Sequence, residues 1–230
     1  MSEASRLAPH LAGPAWIQAR EQTEARGRRG REWRMPPGNF AATLVFRPQG
    51  GPAEVARFSF VAALALNQTL ARLSGPHARL AIKWPNDVLL NGGKVAGILL
   101  ESISAGAGVS SLAIGIGVNL TEAPPADTVE PGAVHPVSLL GETGVRITPE
   151  EFLPPLASAF AGLQALYEHF GFAPIRSAWL SRAARLGERV TARTGTETHE
   201  GIFDTIDETG AMVLRTSDGL RAIPAADVFF

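Results

Sequence analysis

The sequence predicts an α+β fold: a mixed β-sheet with helices packed on it, followed by a small C-terminal antiparallel β-barrel. Three observations carry this expectation. Short apolar, β-branched runs alternate with two long segments whose apolar residues recur every three or four positions. From about residue 186 the pattern changes to short alternating strands separated by the turn clusters TGTE, DETG and SDG. The 24 glycines and 17 prolines are scattered between periodic segments, as in a folded domain with many turns. A boundary is therefore placed near Leu186, giving units 1–185 and 186–230.

Taken in order, residues 16–19 (WIQA) suit a short strand, and the Gly- and Arg-rich stretch after them reads as a long surface loop. Residues 40–47 (FAATLVFR) are apolar, partly β-branched and bounded by Gly38 and Pro48, which predicts a buried strand. Val55, Phe58, Val61, Ala62, Ala65, Leu66, Leu70 and Leu73 place a broad apolar face on a helix over 53–73. Residues 80–84 form a strand, PND a turn, and 87–90 with KVAGILLES a hairpin. Residues 111–120 (SLAIGIGVNL) form another strand, whose glycines suit passage beside a ligand. The proline-rich segment 121–136 reads as an exposed excursion. Helical spacing resumes over 150–170, with Pro154 and Pro155 arguing for an extended or kinked start before Leu156. Pro174 fits the first turn of a short helix running to Arg182. Four strands are then expected, at 188–193, 200–207, 211–215 and 220–223.

Composition narrows the function classes. With 21 Lys plus Arg against 22 Asp plus Glu, the net charge of -1 provides no global field for nucleic acid or an anionic membrane. The absence of cysteine excludes a disulfide framework, a thiolate nucleophile and a Cys-ligated metal, and it fits a cytoplasmic location. No signal peptide and no run of about 18 apolar residues is apparent.

Any positive site must be local, and one stands out. Arg26, Arg28, Arg29, Arg31 and Arg34 are interleaved with Gly27 and Gly30. A basic run is often only a solvated surface. Glycine beside clustered arginine, however, adds backbone entropy that folding must overcome, and it is better suited to wrapping an anion. Backbone N–H groups and planar guanidinium forks would then meet phosphate oxygens. GxxxxGK[ST] is absent, and GIG at 115–117 only faintly echoes a dinucleotide fingerprint.

A second cluster follows. Lys83-Trp84-Pro85-Asn86-Asp87, Lys94 before Gly97-Ile98-Leu99-Leu100-Glu101, and Gly115-Ile116-Gly117-Val118-Asn119 come in that order after the loop Arg26-Gly27-Arg28-Arg29-Gly30-Arg31-Glu32-Trp33. Together these motifs resemble the biotin protein ligase family across residues 16–119, and the last segment is similar to that family's SH3-like C-terminal domain. The resemblance implies a catalytic unit of the class II aminoacyl-tRNA-synthetase-like biotin–lipoate ligase type. It further implies ATP-dependent conversion of biotin to biotinyl-5'-AMP, then transfer to a lysine of a biotin carboxyl carrier domain, as in acetyl-CoA carboxylase.

The resemblance also distributes roles. Arg28 and Arg31 hold the adenylate and phosphates, while Gln22 and Arg26 lie near biotin. Lys94 meets the biotin carboxylate and the α-phosphate. Lys83 is a second phosphate-side group, Asn86 and Asn119 contact nucleotide or metal-bound phosphate, and Trp33 stacks near adenine. Asp87 orients the acceptor amine or takes its proton. Gly27, Gly30, Gly97 and Gly117 let the backbone approach the ligands. Arg28, Lys94 and Asp87 are the implied catalytic group. Mg²⁺ is implied as a companion of ATP, with no dedicated protein metal site, since the five histidines are dispersed.

Two departures stand out. Ala25 replaces the usual first glycine of the loop, which is costly only if that position needs positive φ. The Ser-Thr-Asn signature that contacts biotin in the family is not recognisable, and residues 1–6 resemble the inside of the helix that follows it. The expectation is a start internal to a longer chain, and a ligase without a DNA-binding domain. An exposed sheet edge at 95–101 is expected to pair two monomers in a homodimer or to meet the carrier domain. Competing readings are a lipoate or octanoate ligase, a weakened carrier-binding module and an RNA-binding loop.

Overall fold

The structure is a computed structural model. It describes residues 1–27, 30, 31, 33–105, 108–125, 129, 130 and 132–230, without side chains at 104, 105, 108 and 109. Six strands, β1 (Ala15–Ala19), β2 (Phe40–Phe46), β3 (Leu80–Lys83), β4 (Asp87–Leu90), β5 (Gly93–Ala105) and β6 (Gly108–Val118), form one sheet in the order β1-β2-β6-β5-β4-β3. Their ladders are antiparallel, and parallel pairing is confined among the described residues to the isolated bridges Ile82–Ala183 and Lys94–Pro136.

Side chains alternate across this sheet, so each strand serves two different surfaces. Phe40, Ala42, Leu44 and Phe46 of β2 and Leu112, Ile114, Ile116 and Val118 of β6 face the main core. Against that face pack α3 (Phe58–Ser74) and α5 (Pro149–Phe170), with Phe46 5.0 Å from Phe58 and Phe40 5.0 Å from Phe152. The opposite face is covered at one end by α1 (Ser2–Leu7), through Ala4, Ala8, Val45 and Ala113. Its other end carries the cavity described below.

The helix expected over 53–73 is two helices, α2 (Pro52–Ala56) and α3, joined at Arg57. α4 (Leu139–Thr143) was not anticipated. α5 starts earlier than Pro154 and Pro155 suggest: Pro149 occupies its first turn, and Thr148 and Glu151 cap it reciprocally. Those caps and the buried face of Phe152, Leu156, Phe160, Leu163 and Tyr167 outweigh the N–H groups the two prolines lack. α6 (Phe172–Leu180) contains Pro174 in its first turn.

The C-terminal sheet corrects a prediction. β7 (Arg189–Arg193), β8 (Thr198–Ile206), β9 (Met212–Thr216), β10 (Gly219–Ile223) and β11 (Asp227–Phe229) lie in the order β10-β9-β8-β7-β11. This is an open sheet, not the expected SH3-like barrel, because the edge strands β10 and β11 do not pair. Closure is not needed to bury its inner face. Phe203, Ile206, Met212 and Leu214 join the same hydrophobic cluster as Phe60 and Trp179, and the Trp179 ring lies 5.5 Å from Phe60 and 6.5 Å from Phe203. Arg176 Nε also donates to the Ile206 carbonyl at 2.5 Å.

One turn joins the two sheets closely. Gly210 has φ +91°, and a Cβ there would lie 2.7 Å from Phe60 Cε2, so the position needs glycine twice over. Its carbonyl accepts Trp84 Nε1–H at 3.0 Å, with Trp84 only 3% exposed. Trp84→Phe would leave that carbonyl unpaired. A loss of about 1–2 kcal/mol is expected, read as a lower denaturant midpoint at unchanged slope. Among the described residues no helix is long and apolar enough to cross a membrane.

Candidate functional site

Strand register builds the site. Lys83 is opposite Asp87, Asp87 opposite Gly97, Gly97 opposite Gly117, and Gly117 opposite Ala41. Directly paired residues share a sheet face, so these five form one row across β3, β4, β5, β6 and β2. The row is charged at one end and bare in the middle. Its first four members, Lys83, Asp87, Gly97 and Gly117, floor a cavity of about 440 Å³.

Trp33 lies on the bare part. A Cβ on Gly117 would stand 2.8 Å from Trp33 Cε2 and Nε1, and one on Gly97 3.3 Å from Cζ3. The glycines therefore make room for an indole. Lys94 Nζ approaches that ring to 5.5 Å and bonds Asp87 Oδ1 at 2.8 Å, a partly buried ion pair. Lys94 is held from both sides: its N–H donates to the His135 carbonyl at 2.8 Å and its carbonyl accepts from Val137 N–H at 3.0 Å. Burial lowers the Lys83 pKa from its ordinary value, with Asp87 and Asp227 opposing that shift and Lys94 and Arg31 adding to it.

Other predicted residues sort differently. Gln22, Arg26, Gly27 and Arg31 line the cavity with Lys83, Asn86 and Asn119. Arg26 Nη2 lies 3.5 Å from Glu101 Oε1. Asn86 is committed to structure: its Nδ2 donates to the Ile98 carbonyl, and its own carbonyl accepts Ile98 N–H at 3.1 Å, stapling the turn to β5. Asn119 Nδ2 donates to the Val137 carbonyl at 3.0 Å, while its buried Oδ1 has no partner among the described residues. An unpaired oxygen suits a donor or a cation, not a phosphate oxygen. Gly30, at φ +72°, shapes the loop without lining the cavity. Arg28 lies outside the described residues.

The loop closes on itself through Gly27 N–H to the Arg31 carbonyl at 2.7 Å and Trp33 N–H to the Ala25 carbonyl at 3.1 Å. Positive φ among described non-glycine residues occurs only at Asn91 and Arg185, so Ala25 sits without strain. The segment 121–136 is also more engaged than expected: Pro124, Val129, Glu130, Ala133, Val134 and Pro136 line the cavity.

Two family models match the chain. The Biotin/lipoate A/B protein ligase family matches residues 7–119, and the Biotin protein ligase C terminal domain matches residues 186–230. The biotin--[acetyl-CoA-carboxylase] ligase of Paracoccus denitrificans is 64% identical over 229 residues, covering 100% of this chain and 95% of that protein. The chain belongs to the biotin protein ligase family. The bifunctional ligase/repressor BirA of Bacillus subtilis is 32% identical, over 92% of this chain and 65% of that protein. A biotin protein ligase from Aquifex aeolicus in complex with biotin and ATP has the same fold, with a TM-score of 0.81 at 23% identity over 98% of this chain and 92% of that one.

Within this ligase-family fold, the sequence reading missed the contribution of the last strand. Ala226, Asp227, Val228 and Phe229 line the cavity, and Asp227 Oδ2 lies 2.5 Å from Arg31 Nη2. No local pattern marks a three-residue strand. Gly117→Ala tests the floor: a methyl competes with Trp33 for the same space, and overpacking of this kind typically costs about 1–3 kcal/mol. ATP affinity should fall by roughly tenfold, measured as an ATP binding isotherm in the presence of biotin, and the melting temperature should drop by a few degrees.

Proposed function

We propose that this chain is an ATP-dependent biotin--[biotin carboxyl-carrier protein] ligase. The observation that carries this reading is the Lys94–Asp87 ion pair of 2.8 Å, set in a cavity also lined by Arg26, Gly27, Arg31, Trp33 and Arg34. A carboxylate and a triphosphate repel one another, so joining them needs cations fixed in advance where charge develops. Lys94, Lys83 and Arg31 reach one cavity from β5, β3 and the loop.

In the first step a biotin carboxylate oxygen attacks the α-phosphorus of ATP, the α–β bridging bond breaks and pyrophosphate leaves. Lys94 bridges the carboxylate and α-phosphate, Arg31 and Lys83 attend the outer phosphates, and Arg28 of the same loop joins them. Gln22 and Arg26 border biotin, and Trp33 gives the adenine a face. Asn86 is assigned to the turn alone. In the second step the neutral acceptor amine attacks the adenylate carbonyl, AMP leaves, and Asp87 takes the amine proton.

Magnesium accompanies ATP in this reading. Among the described residues no group of three acidic or histidine side chains could hold a metal, and Asp87, Glu130 and Asp227 are paired with cations. The nucleotide's own phosphates would hold the ion, with Asn119 Oδ1 an available protein oxygen; the ion would supply charge neutralisation. The carrier domain approaches the β4 side of β5 beyond Ile98, where no ladder partner lies among the described residues.

The test is incubation with ATP, Mg²⁺, biotin and a carboxyl carrier domain, following adenylate and protein-bound biotin separately, with lipoate in parallel. Both biotin products should form and depend on ATP. Labelling by lipoate in place of biotin, or carrier binding without adenylate, would overturn the assignment.

A further inference from the structure

Arg31 already holds an anion, and that anion belongs to the protein. Its Nη2 meets Asp227 Oδ2 at 2.5 Å, and the Asp227 side chain is 11% exposed against 48% for Arg31. Asp227 does not stand alone. In the sheet register it faces Arg193, whose guanidinium lies 4.6 Å over the Phe229 ring and is paired with Glu130. Glu130 Oε2 in turn lies 3.8 Å from Arg31 Nη1. Two carboxylates and two guanidiniums thus alternate between the C-terminal sheet, the 121–136 segment and the arginine loop.

A carboxylate on a guanidinium uses the same planar donor fork that a phosphate oxygen would use. Asp227 and Glu130 line the cavity that also holds Lys94 and Asp87, so the protein's anions and an entering phosphate compete in one enclosure. We propose that Asp227 is a positioning residue for nucleotide binding: it occupies Arg31 in the empty protein and yields it to the triphosphate. Nucleotide entry then releases the loop from the C-terminal sheet and leaves Arg31 on the phosphates. This rests on reading the cavity as the ATP site.

The mixed charge of the network gives the prediction a direction. Removing the Asp227 charge removes both a competitor for Arg31 and a repulsion on the phosphates. Asp227→Asn should therefore lower KM for ATP in biotin-dependent pyrophosphate exchange, by about threefold to tenfold given the partial exposure of the pair. The rate at saturation should stay within about twofold. Asp227→Glu, which keeps the charge, should behave like the parent. In the absence of ligands, trypsin should cut the Asn variant faster at Arg26, Arg31 and Arg34, resolved by mass spectrometry.

An Asp227 that only positions Arg31 productively, or only holds the C-terminal sheet, gives the opposite result: KM for ATP unchanged or higher in the Asn variant. That result overturns the proposal, as does unchanged loop cleavage. If Asp227→Asn does not fold, Glu130→Gln loosens the outer arm and should lower KM for ATP by a smaller factor; no decrease is equally adverse. A parent protein without biotin-dependent exchange would instead defeat the ligase reading, and loop cleavage with and without ATP alone would then decide the Asp227 contact.

Discussion

Lys94→Ala should abolish most adenylate formation while leaving the fold intact. Its ammonium is the cation held closest to the middle of the floor, fixed by Asp87 at 2.8 Å and by backbone bonds to His135 and Val137. Removing a single preorganised donor aimed at developing charge typically costs about 3–4 kcal/mol, or roughly two to three orders of magnitude in rate. Biotin-dependent pyrophosphate exchange measures this step alone. Exchange within twofold of the parent would remove Lys94 from the chemistry. The fold should survive because the Lys94 backbone bonds do not involve the side chain; unchanged melting would show it.

Asp87→Asn is the second large effect, and it should divide the two steps. The acceptor lysine has a reference pKa of about 10.4, so at neutral pH it must lose one proton before its amine can attack, and the nitrogen sheds a second as the bond forms. Asp87 stands at the cavity floor beside Lys94, within reach of that event. Transfer from preformed biotinyl-adenylate to the carrier should fall by roughly a hundredfold, the lower end for general base catalysis. Adenylate formation should fall less, through looser placement of Lys94. Equal losses in both steps would mean that Asp87 serves only to hold Lys94.

The longer strands and helices were legible from local pattern: FAATLVF is a continuous apolar run that is buried throughout, and α3 has an apolar face wide enough to be recognised without partners. The arginine loop and KWPND were legible as chemistry, since charge beside glycine and a turn has few inert explanations. Their meeting was not. The row from Lys83 through Asp87, Gly97 and Gly117 exists only through long-range strand register, which no local window contains. Asn86 and Asn119 looked alike as polar residues beside a motif, yet backbone carbonyls claim the Nδ2 of both. Asp227 and Glu130 are ordinary acids in the sequence, and only the fold sets them at Arg31. The barrel expectation failed for a related reason: four alternating strands predict a sheet, but whether it curls shut depends on what else covers its face, here Phe60 and Trp179.

The seam where Trp84 reaches the Gly210 carbonyl and Phe60 presses on that same turn makes the C-terminal sheet a poor interchangeable module. A graft from another protein would have to reproduce a side-chain-free corner and an acceptor at one point in space. Cutting the sheet away would bare an aromatic patch and, at a stroke, strip the cavity of the wall that Ala226 to Phe229 build.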